Sequence, residues 1–379
     1  MRAVAIGIVL VAIAGCSNGS TAPLAGPAHA SPSTGTPSVA AACSNATVIA
    51  SWPLAQRAAA VVVVPVLDFD VAGVTNELRA GAGGLLFLGS AAAPADLAGR
   101  LRSVHALVMA DEEGGGIQRL APLVGDFPWP RDMTRSMTPA QVQSLGARVG
   151  RQMRAAGVTV DLAPVLDVDN RPGPSASNPD GARSFSGDPP TVASYGVAFM
   201  RGLEAAGVTA VVKHFPGLGG SVGNTDVKPA TTHEQLEPFR AAIAAGAPAV
   251  MVANAAVSGV TPLPATLSHA VITGMLRGQL GFTGLIVTDS LSAGAVQHAT
   301  SSLAEAVVRS LVAGADLVLF GSTLTAAQTE ALQPAAVQRT FDSLIAAVVA
   351  GVRDGQLSTA RLDAAVGAVV AAQHRSLCR

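Results

Sequence analysis

Charge, aromatic rings and cysteine are all scarce in this sequence. Only 13% of the 379 residues are charged, and 24 Lys and Arg against 25 Asp and Glu leave a formal net charge of -1. Binding to a phosphate backbone needs a basic stripe, so nucleic acid is excluded as an obvious partner. Aromatic residues make up 3%, so any platform on which sugars or bases could stack must be small. Cys16, Cys43 and Cys378 are the only cysteines, and no His/Cys cluster has ligand spacing. Neither a metal nor another cofactor is therefore expected. The apolar fraction of 49% excludes disorder over most of the chain.

The chain opens with Met1-Arg2 and an apolar run over residues 3–14. That run is shorter than the roughly 20 residues of a bilayer span. A charged start, a short apolar core and small residues before a cleavage point form a secretory signal. Here the small residues end at Cys16, as in a bacterial lipobox, which predicts a signal peptide over 1–15 and a lipidated Cys16. Residues 16–42 then read as a Ser/Thr/Pro/Ala tether, since 17–42 carries no charged side chain and its mostly Ser, Thr, Pro, Gly and Ala composition cannot build a core. The expected location is the cell envelope, on the membrane through the lipid. Export into an oxidising compartment and the closeness of domain termini predict a Cys43–Cys378 disulfide.

The globular part, residues 43–379, carries eight short apolar runs. They are Val61-Leu67, Gly84-Gly89, His105-Ala110, Val158-Pro164, Thr209-His214, Ala249-Ala253, Leu285-Thr288 and Leu317-Phe320. Runs without alternation suit parallel strands buried on both faces. Ala-rich segments of helical spacing lie between them, including 139–156, 190–206, 234–245 and 303–313. Strand then helix, eight times, predicts an α/β fold, a single (β/α)8 TIM-type barrel. Residues 326–375 read as two or three further helices that close it.

A barrel of this kind places chemistry where strands end. The third run ends in Asp111, the fourth is followed by Asp167, Asp169 and a Pro/Gly-rich loop reaching Arg183, the fifth ends in Lys213-His214, and the seventh in Asp289. A single Asp after a strand is often only a helix cap, as Asp289 before Ser290-Leu291 could be, and a structural role is the simpler reading for Asp68 and Asp70. Lys213 is harder to dismiss, because a cation at the end of a buried strand is costly without a partner.

DEEGGGIQR (Asp111–Arg119), ARSF (Ala182–Phe185), KHFPGLGG (Lys213–Gly220) and TDSLSAGAV (Thr288–Val296) occur in that order. Together they resemble glycoside hydrolase family 3, in particular its single-barrel β-N-acetylhexosaminidases, and with the lipobox the exported lipoprotein members of actinobacteria and mycobacteria. The resemblance implies Asp289 as the catalytic nucleophile. It implies Asp111, Arg119, Arg183, Lys213 and His214 as the residues that hold the hydroxyls of a non-reducing sugar. It also implies a retaining, exo-acting β-N-acetylglucosaminidase releasing terminal GlcNAc from cell-wall glycosides, working as a monomer.

One departure is plain. Such relatives carry Asp-Ser-His or Asp-Thr-His on the loop after KHFPG, with the His as acid/base. This chain has Asn224-Thr225-Asp226 there. Asp226 becomes the candidate acid/base, since carboxylic acids are the usual proton donors of glycosidases; His233 is the reserve. Two other readings stay open. One is a non-catalytic sugar-binding lipoprotein on the same barrel. The other is a serine hydrolase using Ser221 in Gly219-Gly220-Ser221-Val222-Gly223, with Asp289 and His298 or His374.

Overall fold

The structure, a computed structural model, describes residues 43–175, 178–221 and 223–378. The expected signal peptide, Cys16 and the expected tether lie outside the described residues. Eight parallel strands form the centre: β1 (Val62–Leu67), β2 (Gly84–Leu88), β3 (Leu107–Ala110), β4 (Val160–Asp161), β5 (Thr209–Phe215), β6 (Ala249–Val252), β7 (Leu285–Thr288) and β8 (Val318–Leu319). Their order is β7-β6-β5-β4-β3-β2-β1-β8. A parallel bridge between Val287 and Leu317 brings the two ends of that sheet together, so the barrel is nearly closed. Each predicted run holds one of these strands.

The inner layer is aliphatic, with Val63, Leu86, Met109, Val211, Met251, Val287 and Leu319 in one buried cluster. Val369 of the last helix, Thr359–Ala372, joins that cluster, so this helix closes the barrel floor. Arg361 on the same helix donates to Asp316 and to the Ala315 carbonyl, just before β8. Three helices follow β8, at Ala326–Glu330, Pro334–Arg353 and Thr359–Ala372. The second is long and apolar enough to cross a membrane by composition alone. Its buried residues Val337, Phe341, Leu344, Val348 and Gly351 instead recur at helical spacing, the stripe of a helix lying on a core.

The outer helices start where the sequence supplies caps. Thr138 and Gln141 form a reciprocal capping box ahead of α1 (Pro139–Ala155), and Asp188 caps α2 (Pro189–Ala205). These two cross closely because both present glycine: a Cβ on Gly202 would stand 2.2 Å from the Gln143 carbonyl oxygen. The helix expected over 234–245 spans only Leu236–Ala244. Gln235 leaves it because its side chain is engaged elsewhere, as described below. A disulfide joins Cys43 to Cys378, with Cα atoms 5.8 Å apart, and ties the first helix, Asn45–Ser51, to the chain end.

Candidate active site

The charged residues singled out in the sequence converge on the rim where the strands end. After β3 the chain turns into a small hairpin, Glu112–Gly114 paired with Ile117–Gln118. The hairpin turn requires glycine. Gly115 has φ +56°, and a Cβ there would stand 2.0 Å from the Trp129 ring.

Lys213, 2% exposed, is the hub of an ion network. Its Nζ lies 2.7 Å from Asp111 Oδ1 and 2.6 Å from Glu113 Oε1. Arg183 grips the same Glu113 carboxylate from the other side, Nε to Oε2 at 2.8 Å and Nη2 to Oε1 at 2.9 Å. Burial alone would raise the Glu113 pKa, but the Arg183 and Lys213 charges outweigh it and hold this carboxylate far below its usual range. For Lys213, burial works toward neutrality, and Asp111 and Glu113 reverse it. Glu113 and Lys213 are therefore both ionised at neutral pH. Asp111 and Glu113 are thus paired with cations, while Glu112 between them turns away and accepts the Leu120 N–H.

His214 turns to a different partner. Its Nδ1 is 2.6 Å from Asp167 Oδ2, while Asp167 Oδ1 accepts the backbone N–H of His214 and of Leu218. Burial would lower the imidazole pKa, and the Asp167 charge and hydrogen bond raise it above the usual value. Arg119 stands beside the hairpin, its Nη1 donating to the Gly89 carbonyl at the end of β2. No hydrogen bond among the described residues links its side chain to the Lys213 network.

Asp289 ends β7, where its N–H donates to the Val252 carbonyl and its Oδ1 accepts from the Ser290 N–H. It caps no helix, for the next one, Gly294–Ala299, begins after Ala293. The loop after β5 is docked on the start of that helix. Gly294 N–H donates to the Asp226 carbonyl and Ala295 N–H to the Thr225 carbonyl. Contact is so close that a Cβ on Gly294 would lie 2.3 Å from the Val227 carbonyl oxygen. Gln235 holds the other end of the loop, donating to the Val168 and Gly219 carbonyls and accepting from the Val168 N–H.

This docking sets the electrostatics of Asp226. Burial and the nearby Asp289 charge push its carboxyl up to about 6, against the opposing pull of Arg183 and His214. Two carboxyl groups at one mouth, one of them keeping its proton up to about pH 6, can donate a proton and act as a nucleophile or charge stabiliser.

Other candidates fall outside this group. His233 is exposed, and His298 is an exposed residue whose Nδ1 lies against the Gly294 carbonyl. Ser221 is buried, but β5 ends at Phe215 and no helix follows Ser221, so the strand–Ser–helix elbow of a serine hydrolase is absent among the described residues. The Ser221 reading is thereby overturned. Asp70 caps a short 3-10 helix and Asp68 accepts from the Ser90 and Ala91 N–H groups, both turn roles.

Glu113 and Asp180 were not found from sequence as site residues. Glu113 lies inside a run of three acids that gives it no distinct signal, and Asp180 lies in a loop without a periodic pattern. A separate cavity of about 860 Å³, lined by Trp52, Arg79, Arg100, His105 and Gln373, opens beside the starts of β2 and β3. It lies away from the strand ends that carry the acidic and basic cluster.

Residues 90–372 match the family model of the glycosyl hydrolase family 3 N terminal domain. A beta-hexosaminidase of Mycobacterium tuberculosis, LpqI, is 39% identical over 229 residues, which are 57% of this chain and 58% of that protein. The match thus spans less than two thirds of that relative's length. The solved structure of M. tuberculosis LpqI superposes with a TM-score of 0.73 at 32% identity, over 87% of this chain and 96% of the other. A β-N-acetylhexosaminidase structure from Beutenbergia cavernae gives a TM-score of 0.74 at 31% identity, over 86% of this chain and 100% of the other.

Proposed function

The chain belongs to glycosyl hydrolase family 3, and on that premise we propose that it is a retaining, exo-acting β-N-acetylglucosaminidase. Asp289 attacks the anomeric carbon and forms a covalent glycosyl-enzyme; Asp226 protonates the leaving oxygen and then activates water. The observation that carries this reading is the state of Asp226. Burial and the facing Asp289 charge push its carboxyl up to about 6, which suits a proton donor near neutral pH. The absent His of the usual triplet is replaced by this carboxylic acid.

Asp111, Lys213, Arg183, His214 and Arg119 hold the terminal sugar. Lys213 and Asp111 form a charge-assisted pair whose remaining lone pairs and N–H groups suit sugar hydroxyls. Glu113 fixes Lys213 and Arg183 in place, so the sugar meets groups that need not reorganise. Names of the relatives support N-acetylhexosamine as the substrate. A lipidated Cys16 would place the enzyme in the cell envelope, beside GlcNAc-containing wall fragments, and the domain itself would work as a monomer.

The test is a panel of aryl β-glycosides. Turnover of a β-N-acetylglucosaminide above the β-glucoside is expected, with Asp289→Asn losing activity on every substrate. A folded wild-type protein that binds GlcNAc glycosides without cleaving any would instead mark a non-catalytic sugar-binding lipoprotein.

A further inference from the structure

Asp180 has no part in the chemistry above. It lies in the loop after β4, fully buried, and neither carboxylate oxygen has a hydrogen-bond partner. A carboxyl group taken out of water without a donor is a costly feature. Arg183 is near, but its N–H groups go to Glu113 and to the Pro179 carbonyl. What does stand close is ligand chemistry. One ligand atom each from Asp167, Asp180 and His214 lie within 4.8 Å of one another, and all three residues are buried.

We infer that Asp167, Asp180 and His214 bind a divalent cation of the zinc class. Two carboxylates and a neutral imidazole balance a dication, and they give Asp180 the partner it otherwise lacks. Asp167 is already oriented for this. Its Oδ1 accepts the two backbone N–H groups, which leaves Oδ2 facing the His214 Nδ1. The cation takes the place of the proton between Oδ2 and Nδ1, and His214 keeps a proton on Nε2. Bond lengths of about 2.0–2.2 Å at a tetrahedral angle require that 2.6 Å pair to separate by roughly 0.7 Å. An imidazole ligand and a three-residue set favour zinc over calcium or magnesium, which take six or more oxygens. The fourth position falls to water. The inference does not depend on Asp289 being the nucleophile.

The test uses the full globular chain stripped with a chelator and titrated with zinc chloride against a chromogenic zinc indicator. About one equivalent is expected to bind at micromolar concentration or tighter. Asp180→Asn should weaken binding by about 100-fold, since it replaces an anionic ligand with a neutral amide oxygen, while Asp226→Asn and Asp289→Asn bind as the parent does. Crystals soaked in zinc should show an anomalous peak between the three side chains, a readout that needs no variant. Failure of the parent to bind overturns the proposal. Unchanged binding in Asp180→Asn, or a peak at the Asp226–Asp289 mouth, does the same. Loss of glycosidase activity alone does not bear on it.

Discussion

At the scale of residues, the chain gathers like and unlike charges so that each takes a different protonation state. Glu113 stays ionised between two cations, while Asp226 keeps its proton up to about pH 6 because the opposing cations do not overcome burial and Asp289. If Asp226 is the acid, kcat on substrates with poor leaving groups should fall as pH rises through about 6, the value at which it loses that proton. Asp226→Ala should slow those substrates by about 10²–10⁴-fold and leave activated aryl glycosides much less affected; equal losses on both would contradict an acid role. Glu113→Ala leaves Lys213 and Arg183 buried without their shared counter-ion. A destabilisation of about 3–5 kcal/mol is expected in denaturant unfolding. Lys213, His214 and Asp289 were legible in sequence because each ends an apolar run, and Arg183 because of the ARSF motif. Asp180 was not, since only the tertiary fold brings it to Asp167 and His214.

Elements matter here chiefly through one contact, the docking of residues 225–227 on the start of helix Gly294–Ala299. The loop carries Asp226, and Gly294 lets it approach because no Cβ intervenes. Gly294→Val should displace the loop and lower kcat/KM by tenfold or more, while far-UV circular dichroism and the Asp289 fluorosugar reaction with activated donors persist. Unimpaired kcat/KM would show that the docking is irrelevant. The eight strands were readable from buried apolar runs, and the helix starts from Thr138 and Asp188. The shift of one helix start to Leu236 was not readable, because the reason is tertiary: Gln235 clamps the loop against Val168 and Gly219.

Over the whole molecule, several buried carboxyls make stability fall with pH. Burial raises Glu112 to about 8, although it accepts the Leu120 N–H, and Asp180 also stands at about 8. Unfolded carboxyls titrate near about 4, so the unfolded chain loses these protons first as pH rises. The contribution of these groups is complete below about pH 4 and declines up to about pH 8. Thermal melts in chelator should therefore show Tm dropping from pH 5 to pH 8, with Glu112→Gln flattening the drop. An unchanged slope in that variant would count against the burial argument. The Cys43–Cys378 bond closes nearly the whole domain into one loop. Cys378→Ser should cost about 2–5 kcal/mol of stability with catalysis at low temperature retained.

The central claim is that Asp289 bonds to the sugar. A 5-fluoro-β-N-acetylglucosaminyl fluoride should trap the intermediate, and peptide mass spectrometry should place the adduct on the Asp289 peptide. An adduct on any other residue, or none in an enzyme that turns over its substrate, would contradict the mechanism.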